Sequence, residues 1–472
     1  MTATEVLGIR YAEARRWAAP EPIAWNGERG GERPPAPPQP TDGTPGGASL
    51  PGLEVGPTSE DCLYLNVWSD TDASGAPVLV WIPGGAFVTG GAAIPLYDGA
   101  RLAARGAVVV SVTYRVGALG FAAVPGCAPN RGLLDQVAAL HWVREHIVAF
   151  GGDPTNVTVF GESAGGGSVL HLLAMPSATG LLQRAIVQSG ATDSTLSAEQ
   201  AASVATTFHG ALEGDPRTAE VDRILAAQGE ALMAGFAEIG AMPFHPYLDG
   251  EVIAQRPVDA VATTDVDLLI GTTRDEMRMF LDPRSAELDR ERLVRRTARY
   301  LASLGGPAEG APELVARYDD DPHLPSPGDV WSAVQTDGEM RRPMAAMADA
   351  HSTGRAVTFA YRFDEPLVGR LAHLRACHAA DLPYPFGTVD QWAEVVGPGA
   401  PALSEAVQTA WVAFAAGGDP TCPELGSWPA YATATRATML LSAETSGAVD
   451  DPDGQRRQAW ADLAPVRSDP RP

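Results

Sequence analysis

The residues with the clearest chemical potential lie in one short, glycine-rich segment. Residues 161–165 read Gly-Glu-Ser-Ala-Gly and fit the pattern G-x-S-x-G, in which a serine occupies a sharp turn between a strand and a helix. An apolar, strand-like run precedes this segment at 157–160, and a helix-compatible run follows it at 164–173. Such a turn exposes the hydroxyl of Ser163, which is therefore a candidate nucleophile. The alternative is a glycine-rich turn in which Ser163 only caps the following helix.

A serine nucleophile requires partners from elsewhere in the chain. Its hydroxyl is weakly nucleophilic at neutral pH, so it needs a base and a third group that orients the base. It also needs N–H donors for the oxyanion of the tetrahedral intermediate. Residues 81–87, Trp-Ile-Pro-Gly-Gly-Ala-Phe, follow a strand-like run, and their small residues allow backbone N–H groups to face a cavity. The alternative is an ordinary tight loop after a strand.

The elements that must position these segments are short apolar strands that alternate with helical stretches. Leu133, Val137, Leu140 and Ile147 fall at helical spacing, and Gly-Gly-Asp-Pro at 151–154 ends that helix. Strand-like runs occur at 78–82, 107–112, 157–160, 185–188, 268–271, 357–363 and 437–441. The alternation predicts an α/β protein whose large, mostly parallel sheet is covered by helices on both faces. We expect one domain over residues 1–472, with helical insertions at about 195–245 and 280–350.

The composition excludes several classes of function. The chain of 472 residues has 34 basic and 58 acidic residues and a formal net charge of −24, so nucleic acid and anionic membranes are not expected as partners. Every basic residue is arginine. The absence of lysine excludes Schiff-base chemistry and the phosphate-binding loop that ends in Gly-Lys-Ser/Thr.

The cysteines indicate whether a metal site is expected, and the apolar runs indicate the cellular location of the protein. Cys62, Cys127, Cys377 and Cys422 are widely separated and form no C-x-x-C pair, so no zinc site is predicted. Residues 1–17 contain no apolar run of signal-peptide type, and no run of about 18 apolar residues could span a bilayer. We therefore expect a reduced, cytoplasmic protein.

Three longer segments resemble signatures of the type-B carboxylesterase family, which includes bacterial p-nitrobenzyl esterases and the cholinesterases. Residues 60–66, Glu-Asp-Cys-Leu-Tyr-Leu-Asn, are similar to the EDCLYLN signature of that family. Residues 151–166 are similar to its serine signature, and Arg-Ala-Ile-Val-Gln-Ser-Gly at 184–190 follows in the expected order. The resemblance covers nearly the whole chain. It implies an α/β-hydrolase fold and a serine carboxylic-ester hydrolase that acts on small-molecule esters through an acyl-enzyme and requires no cofactor.

The resemblance also indicates where the acid and the base should lie. Residues 271–276 are similar to the family block that carries the triad acid, which gives Glu276, with Asp275 as the second choice. Residues 377–383 are similar to the block that carries the base, which gives His378, with His373 as its nearest rival. The order Ser163, Glu276, His378 is that of α/β hydrolases. We expect the pKa of His378 to lie near ~6–7, so that activity falls below that pH.

The remaining site residues also follow from the resemblance. The backbone N–H groups of Gly85, Ala86 and Ala164 are the expected oxyanion donors, and Ser189 matches a family serine that lies near the triad acid. The family often has histidine where Pro83 stands. Proline has no N–H, but the expected donors come from later positions, so the oxyanion hole can survive the change.

Several questions stay open at the level of sequence. Residues 50–53 contain no aromatic residue where cholinesterases carry a tryptophan that stacks on choline, so cholinesterase activity is not expected. An acyltransferase could use the same triad, and a non-catalytic binding protein could be built on the same fold. The sequence does not determine the physiological ester or the oligomeric state.

Overall fold

The fold is a central ten-stranded sheet enclosed by helices. It is seen in a computed structural model that describes residues 3–28, 30–40, 50–190, 195–239 and 242–464. Among these residues the strands are β1 (Ala3–Arg10), β2 (Ala12–Glu13), β3 (Glu21–Pro22), β4 (Tyr64–Asp70), β5 (Ala76–Ile82), β6 (Val108–Val112), β7 (Gly152–Glu162), β8 (Arg184–Gln188), β9 (Asp267–Thr273), β10 (Thr358–Phe363), β11 (Ala437–Leu441) and β12 (Gly447–Asp450). Each of the seven predicted strand runs lies within or overlaps one of these strands.

The order of the strands in the sheet is β1-β4-β6-β5-β7-β8-β9-β10-β11-β12. From β6 to β11 every neighbouring pair is parallel, whereas β1, β4 and β12 pair antiparallel with their neighbours. The small β2–β3 hairpin lies outside this sheet. The prediction of a large, mostly parallel sheet is confirmed. Because the carboxyl ends of seven parallel strands share one edge, the loops that follow them meet there.

Helices cover both faces of the sheet. They are α1 (Ala100–Ala103), α2 (Gly117–Phe121), α3 (Arg131–His146), α4 (Ala164–Ala174), α5 (Ala198–Leu212), α6 (Val221–Ile239), α7 (Pro257–Ala260), α8 (Arg290–Ser303), α9 (Ala311–Ala316), α10 (Pro327–Thr336), α11 (Arg342–His351), α12 (Pro383–Phe386), α13 (Ala400–Gly417) and α14 (Gly454–Leu463). Side chains of β5 alternate between two apolar clusters, with Val78 and Val80 in one and Leu79 and Trp81 in the other. This two-sided burial explains why the central strands are continuously apolar.

The two predicted helical insertions pack differently. In the first, Val204 and Phe208 of α5 and Ile224 of α6 join the large apolar cluster on one face of the sheet. In the second, Leu293 of α8 and Trp331 of α10 belong to a separate apolar cluster that α9 and α14 complete. The assignment of residues 1–472 to one domain stays a prediction.

Within the described ranges, no helix combines the length and the apolar character that crossing a bilayer requires.

Candidate active site

Ser163 occupies the turn between β7 and α4, at the carboxyl edge of the sheet. Its backbone angles are φ 54° and ψ −124°, a conformation that residues with a side chain adopt rarely and at a cost. The turn is this tight because the flanking residues are glycine: a Cβ on Gly165 would lie 2.0 Å from the carbonyl oxygen of Ile82. Ser163 makes no side-chain capping bond to α4, so the geometry does not support the reading of this residue as a simple cap.

The imidazole of His378 lies between Ser163 and Glu276. His378 Nε2 is 2.8 Å from Ser163 Oγ, and His378 Nδ1 is 2.7 Å from Glu276 Oε2. The other carboxylate oxygen of Glu276, Oε1, accepts hydrogen bonds from Ser189 Oγ at 2.6 Å and from the backbone N–H of Thr273 at 2.7 Å. The structure therefore brings together Ser163, Glu276, His378 and Ser189, which are far apart in the chain.

Burial and hydrogen bonding set the charge of Glu276, whose side chain is fully buried. Burial alone raises its pKa, but His378 and the bonds from Ser189 and Thr273 outweigh burial and hold the pKa of Glu276 below its ordinary value. Glu276 is therefore a carboxylate at neutral pH, and it can hold the His378 ring with Nδ1 protonated and Nε2 facing Ser163.

The two rival residues lie elsewhere. Asp275 Oδ1 lies 3.5 Å from the guanidinium of Arg278 and 3.9 Å from that of Arg375. His373 is exposed, in a 3-10 turn. Neither rival contacts Ser163 or His378 among the hydrogen bonds and ion pairs of the described chain.

Two of the predicted oxyanion donors, those of Gly85 and Ala86, lie in a strained loop beside Ser163. Gly85, Ala86 and Phe87 have φ values of 121°, 53° and 60°. Left-handed backbone costs roughly 1–3 kcal/mol for each residue that has a Cβ. A Cβ on Gly84 would lie 3.3 Å from Ser163 Cβ, so this loop passes directly over the serine. Within the described chain, the N–H groups of Gly85, Ala86 and Ala164 donate to no protein acceptor, so they are free to bind an oxyanion.

Glu162 is a buried acidic residue beside the imidazole that no sequence pattern had indicated. Its Oε1 lies 3.2 Å from His378 Nε2, and its side chain is 4% exposed. Burial raises the pKa of Glu162, with smaller contributions from Asp381 and Glu276, and His378 opposes them. The position lies inside the G-x-S-x-G pattern, next to the nucleophile, and this adjacency is the one sequence signal that could have identified it.

Asp381 is a third buried carboxylate near the imidazole. Its Oδ2 accepts hydrogen bonds from Gln188 Nε2 at 3.0 Å and from the Tyr361 hydroxyl at 3.2 Å. Burial, with a contribution from Glu276, raises the pKa of Asp381 to about 6.

These carboxylates change the expected titration of His378. Burial lowers the pKa of His378, but Glu162, Glu276 and Asp381 together raise it above its ordinary value. The pKa of His378 therefore lies above the ~6–7 expected from the sequence, which did not reveal that Glu162 and Asp381 lie near this imidazole as well as Glu276.

A cavity of about 320 Å³ opens onto Ser163 and His378. Apolar side chains form most of its wall, among them Leu50, Leu53, Ile94, Tyr97, Met279 and Phe280. The Phe280 ring centroid lies 5.4 Å from that of His378, and 40% of Phe280 is exposed. Glu54 and Glu162 are the acidic residues of the wall, and no arginine is among its described lining residues. The cavity has the size and character of a site for a small apolar ligand.

In the part of the chain that the structure describes, no three His, Cys, Asp or Glu side chains are grouped so that they could hold a metal ion.

Comparison with known proteins agrees with the geometry. The model of the Carboxylesterase family matches residues 2–460. The chain belongs to this carboxylesterase family. It is 41% identical to the para-nitrobenzyl esterase of Bacillus subtilis, over 89% of this chain and 86% of that one. It is 33% identical to the phenmedipham hydrolase of Pseudarthrobacter oxydans, over 93% and 91% of the two chains.

Solved structures extend the comparison to the fold. A PNB esterase superposes with a TM-score of 0.82 at 38% identity, covering 97% of this chain and 96% of the other. A thermophilic PNB esterase superposes with a TM-score of 0.83 at 37% identity and the same coverage. The carboxylesterase therefore has the α/β-hydrolase fold and is a serine carboxylic-ester hydrolase, as predicted. Neither the acyltransferase reading nor the binding-protein reading gains support from these comparisons.

Proposed function

We propose that this carboxylesterase hydrolyses small esters with Ser163 as nucleophile, His378 as general base and acid, and Glu276 as the carboxylate that orients the imidazole. The observation that carries the proposal is the continuous hydrogen-bonded path from Ser163 Oγ through both His378 nitrogens to Glu276, with distances of 2.8 and 2.7 Å. Nucleophile, base and orienting group within hydrogen-bond reach are what such a mechanism requires.

The first half of the reaction forms the acyl-enzyme. Ser163 Oγ attacks the ester carbonyl while His378 Nε2 takes the hydroxyl proton, and Glu276 stabilises the resulting imidazolium. The N–H groups of Gly85, Ala86 and Ala164 bind the carbonyl oxygen as it becomes negative. Collapse of the tetrahedral intermediate breaks the bond to the alcohol, which leaves with the proton from His378.

In the second half of the reaction, water hydrolyses the acyl-enzyme. A water molecule donates a proton to His378 Nε2 and attacks the acyl carbonyl, and the same N–H groups bind the second oxyanion. Collapse of this intermediate returns the proton to Ser163 and releases the carboxylic acid. The buried ionised state of Glu276 supports both halves, since an imidazolium forms in each.

The substrate class follows from the cavity wall. Apolar and aromatic residues such as Met279, Phe280 and Tyr97 favour an apolar or aromatic alcohol. The carboxylate of Glu54, with no arginine among the described lining residues, disfavours an anionic substrate, so we propose neutral esters, with cationic esters tolerated. Benzyl esters are a suitable first choice because a relative at 41% identity is named a para-nitrobenzyl esterase. A cytoplasmic location also stays a proposal, which the four free cysteines support.

The test compares Ser163→Ala with Ser404→Ala on p-nitrobenzyl esters and on p-nitrophenyl esters of graded acyl length. We expect Ser163→Ala to lower turnover by at least about 10³-fold, because triad members act as a unit. Ser404 of α13 is also a buried serine, and its hydroxyl donates to the carbonyl of Tyr384 at 2.8 Å, so Ser404→Ala is a matched control that should keep its activity. Near-normal hydrolysis by Ser163→Ala would refute the assignment.

A further inference from the structure

The oxyanion loop, residues 83–90, cannot hold its own shape. Gly85, Ala86 and Phe87 are left-handed in succession, and a side chain disfavours that conformation at the last two positions. The loop's own bonds all end on the carbonyl of Gly85, which accepts from the N–H groups of Val88 and Thr89 and from the Thr89 hydroxyl. A strained backbone conformation persists only when contacts from the surrounding structure hold it in place. The hydrogen bonds that anchor the loop from outside therefore decide its position.

Three anchors outside the loop fix its beginning, middle and end. The Tyr114 hydroxyl donates to the carbonyl of Pro83 at 2.8 Å. The N–H of Gly117 donates to the carbonyl of Phe87 at 2.6 Å. At the end of the loop, the side chain of Gln39 pairs with the backbone of Gly90.

In the Gln39 anchor, one side-chain amide bonds both the N–H and the C=O of Gly90. Gln39 Nε2 donates to the carbonyl of Gly90 at 2.8 Å, and Gln39 Oε1 accepts from the N–H of Gly90 at 2.8 Å. A second bond from Nε2 to the carbonyl of Pro37, at 3.0 Å, fixes the amide itself. Gln39 is 2% exposed and lies on the wall of the catalytic cavity. Loss of this amide would leave a buried N–H and a buried C=O without partners.

Gly90 is in tight contact with the part of the loop that passes over the nucleophile. A Cβ on Gly90 would lie 2.3 Å from the carbonyl oxygen of Gly84, and one on Gly85 would lie 2.4 Å from the carbonyl oxygen of Thr89. The two ends of the loop therefore touch without spare room. A shift of Gly90 moves Gly84, and with it the N–H groups of Gly85 and Ala86.

We propose that Gln39 is a positioning residue for ester hydrolysis, whose two-point clamp on Gly90 holds the oxyanion loop where its N–H groups meet the developing negative charge. Gln39 needs no contact with the ester. The inference rests on the proposed function, because it assigns Gln39 to the same transition state that Ser163 forms.

The clamp predicts a specific kinetic signature. Removal of one oxyanion donor costs about 10²–10³-fold in kcat. Loss of the clamp displaces donors without removing them, so we expect Gln39→Met to lower kcat by roughly 10–100-fold. KM should change by less than about twofold, since these donors act on the transition state and not on the bound ester.

A transition-state analogue separates this role from general damage. A trifluoromethyl ketone forms a covalent adduct with the serine and places its oxygen anion at the oxyanion donors. We expect its inhibition constant to rise in Gln39→Met by the same factor by which kcat/KM falls. Gln408→Met is the matched control, since Gln408 is also a buried amide, bonded to Ser404 in α13. It should leave both quantities within about twofold of the unchanged enzyme.

A second variant keeps the test decisive if Gln39→Met does not fold. Gln39→Asn keeps a neutral amide but is one methylene shorter, so it cannot make both bonds to Gly90. It should show the same signature. An unchanged kcat in a folded variant, a change confined to KM, or an inhibition constant that does not follow kcat/KM would overturn the proposal. If Ser163→Ala is inactive, any of these results overturns the role of Gln39 and leaves the proposed function intact. If Ser163→Ala is active, the proposed function itself is refuted.

Discussion

Glu162 offers a direct test of the electrostatics around the base. Its Oε1 lies 3.2 Å from His378 Nε2, the nitrogen that must accept the proton of Ser163, and both side chains are buried. Replacement by glutamine keeps the size of the side chain and removes its capacity for negative charge. We therefore predict that Glu162→Gln lowers the pKa of His378.

The sign follows from the charges. A carboxylate near an imidazole stabilises the protonated ring and raises its pKa, and Glu162 is among the groups that raise the pKa of His378. Catalysis requires neutral His378, so kcat/KM falls as the pH drops through this pKa. The acid limb of the profile should therefore lie above about 6.5 in the unchanged enzyme and at lower pH in Glu162→Gln.

The magnitude can be bounded from the distance. Two unit charges 3.2 Å apart at an effective dielectric constant of about 20 interact by about 5 kcal/mol. Burial raises the pKa of Glu162 and keeps it partly protonated, so only part of this energy is realised. We expect the acid limb to shift by about one to two pH units, which corresponds to about 1.4–2.7 kcal/mol.

The assay is the pH dependence of kcat/KM for a neutral p-nitrophenyl ester, from about pH 5 to pH 10. Glu365→Gln is the matched control, since Glu365 is also a buried glutamate but bonds the backbone N–H of Ala443. Its profile should coincide with that of the unchanged enzyme. An acid limb that stays in place in Glu162→Gln, or moves to higher pH, would refute the reasoning.

Two further predictions concern the support of the site and of the fold. Ser189→Ala removes the 2.6 Å hydrogen bond to Glu276, and we expect kcat for the same ester to fall about 10-fold. An unchanged kcat would contradict a positioning role for this hydroxyl. The guanidinium of Arg115 donates to the fully buried carboxylate of Asp135 at 2.7 and 2.8 Å. Arg115→Met leaves that carboxylate without its partner, and we expect the free energy of unfolding, measured by chemical denaturation, to fall by about 3–5 kcal/mol. Arg317→Met, at an exposed ion pair, should cost less than about 1 kcal/mol, and equal losses in the two variants would disprove the argument from burial.

Much of the fold was predictable because it depends on local properties of the chain. The continuous apolar runs predicted the parallel strands, since only a strand buried on both faces needs such a run. The turn at Ser163 was predictable for a related reason. Strand and helix approach each other so closely at this turn that positions 161 and 165 have no room for a side chain. The two glycines are visible in the sequence, so the turn could be predicted from it.

The choice of the triad acid shows where local information ends. Asp275 and Glu276 are adjacent in one polar segment, and nothing in either residue indicates which one faces the imidazole. In the fold, the carboxylate of Glu276 reaches His378, while Asp275 pairs with arginines. The resemblance to a family favoured Glu276, and the residue types alone did not.

The sequence by itself determined the fold class and the nucleophile turn, because each depends on residue types at short spacing, and its resemblance to a family indicated the kind of reaction. Only the tertiary structure decided how the base titrates and what holds the oxyanion loop. Glu162 and Asp381 affect His378 because burial excludes water from around them, and a sequence does not contain that environment. Gln39 and Gly90 meet across about fifty residues of chain, and such contacts arise only when distant segments pack into one core.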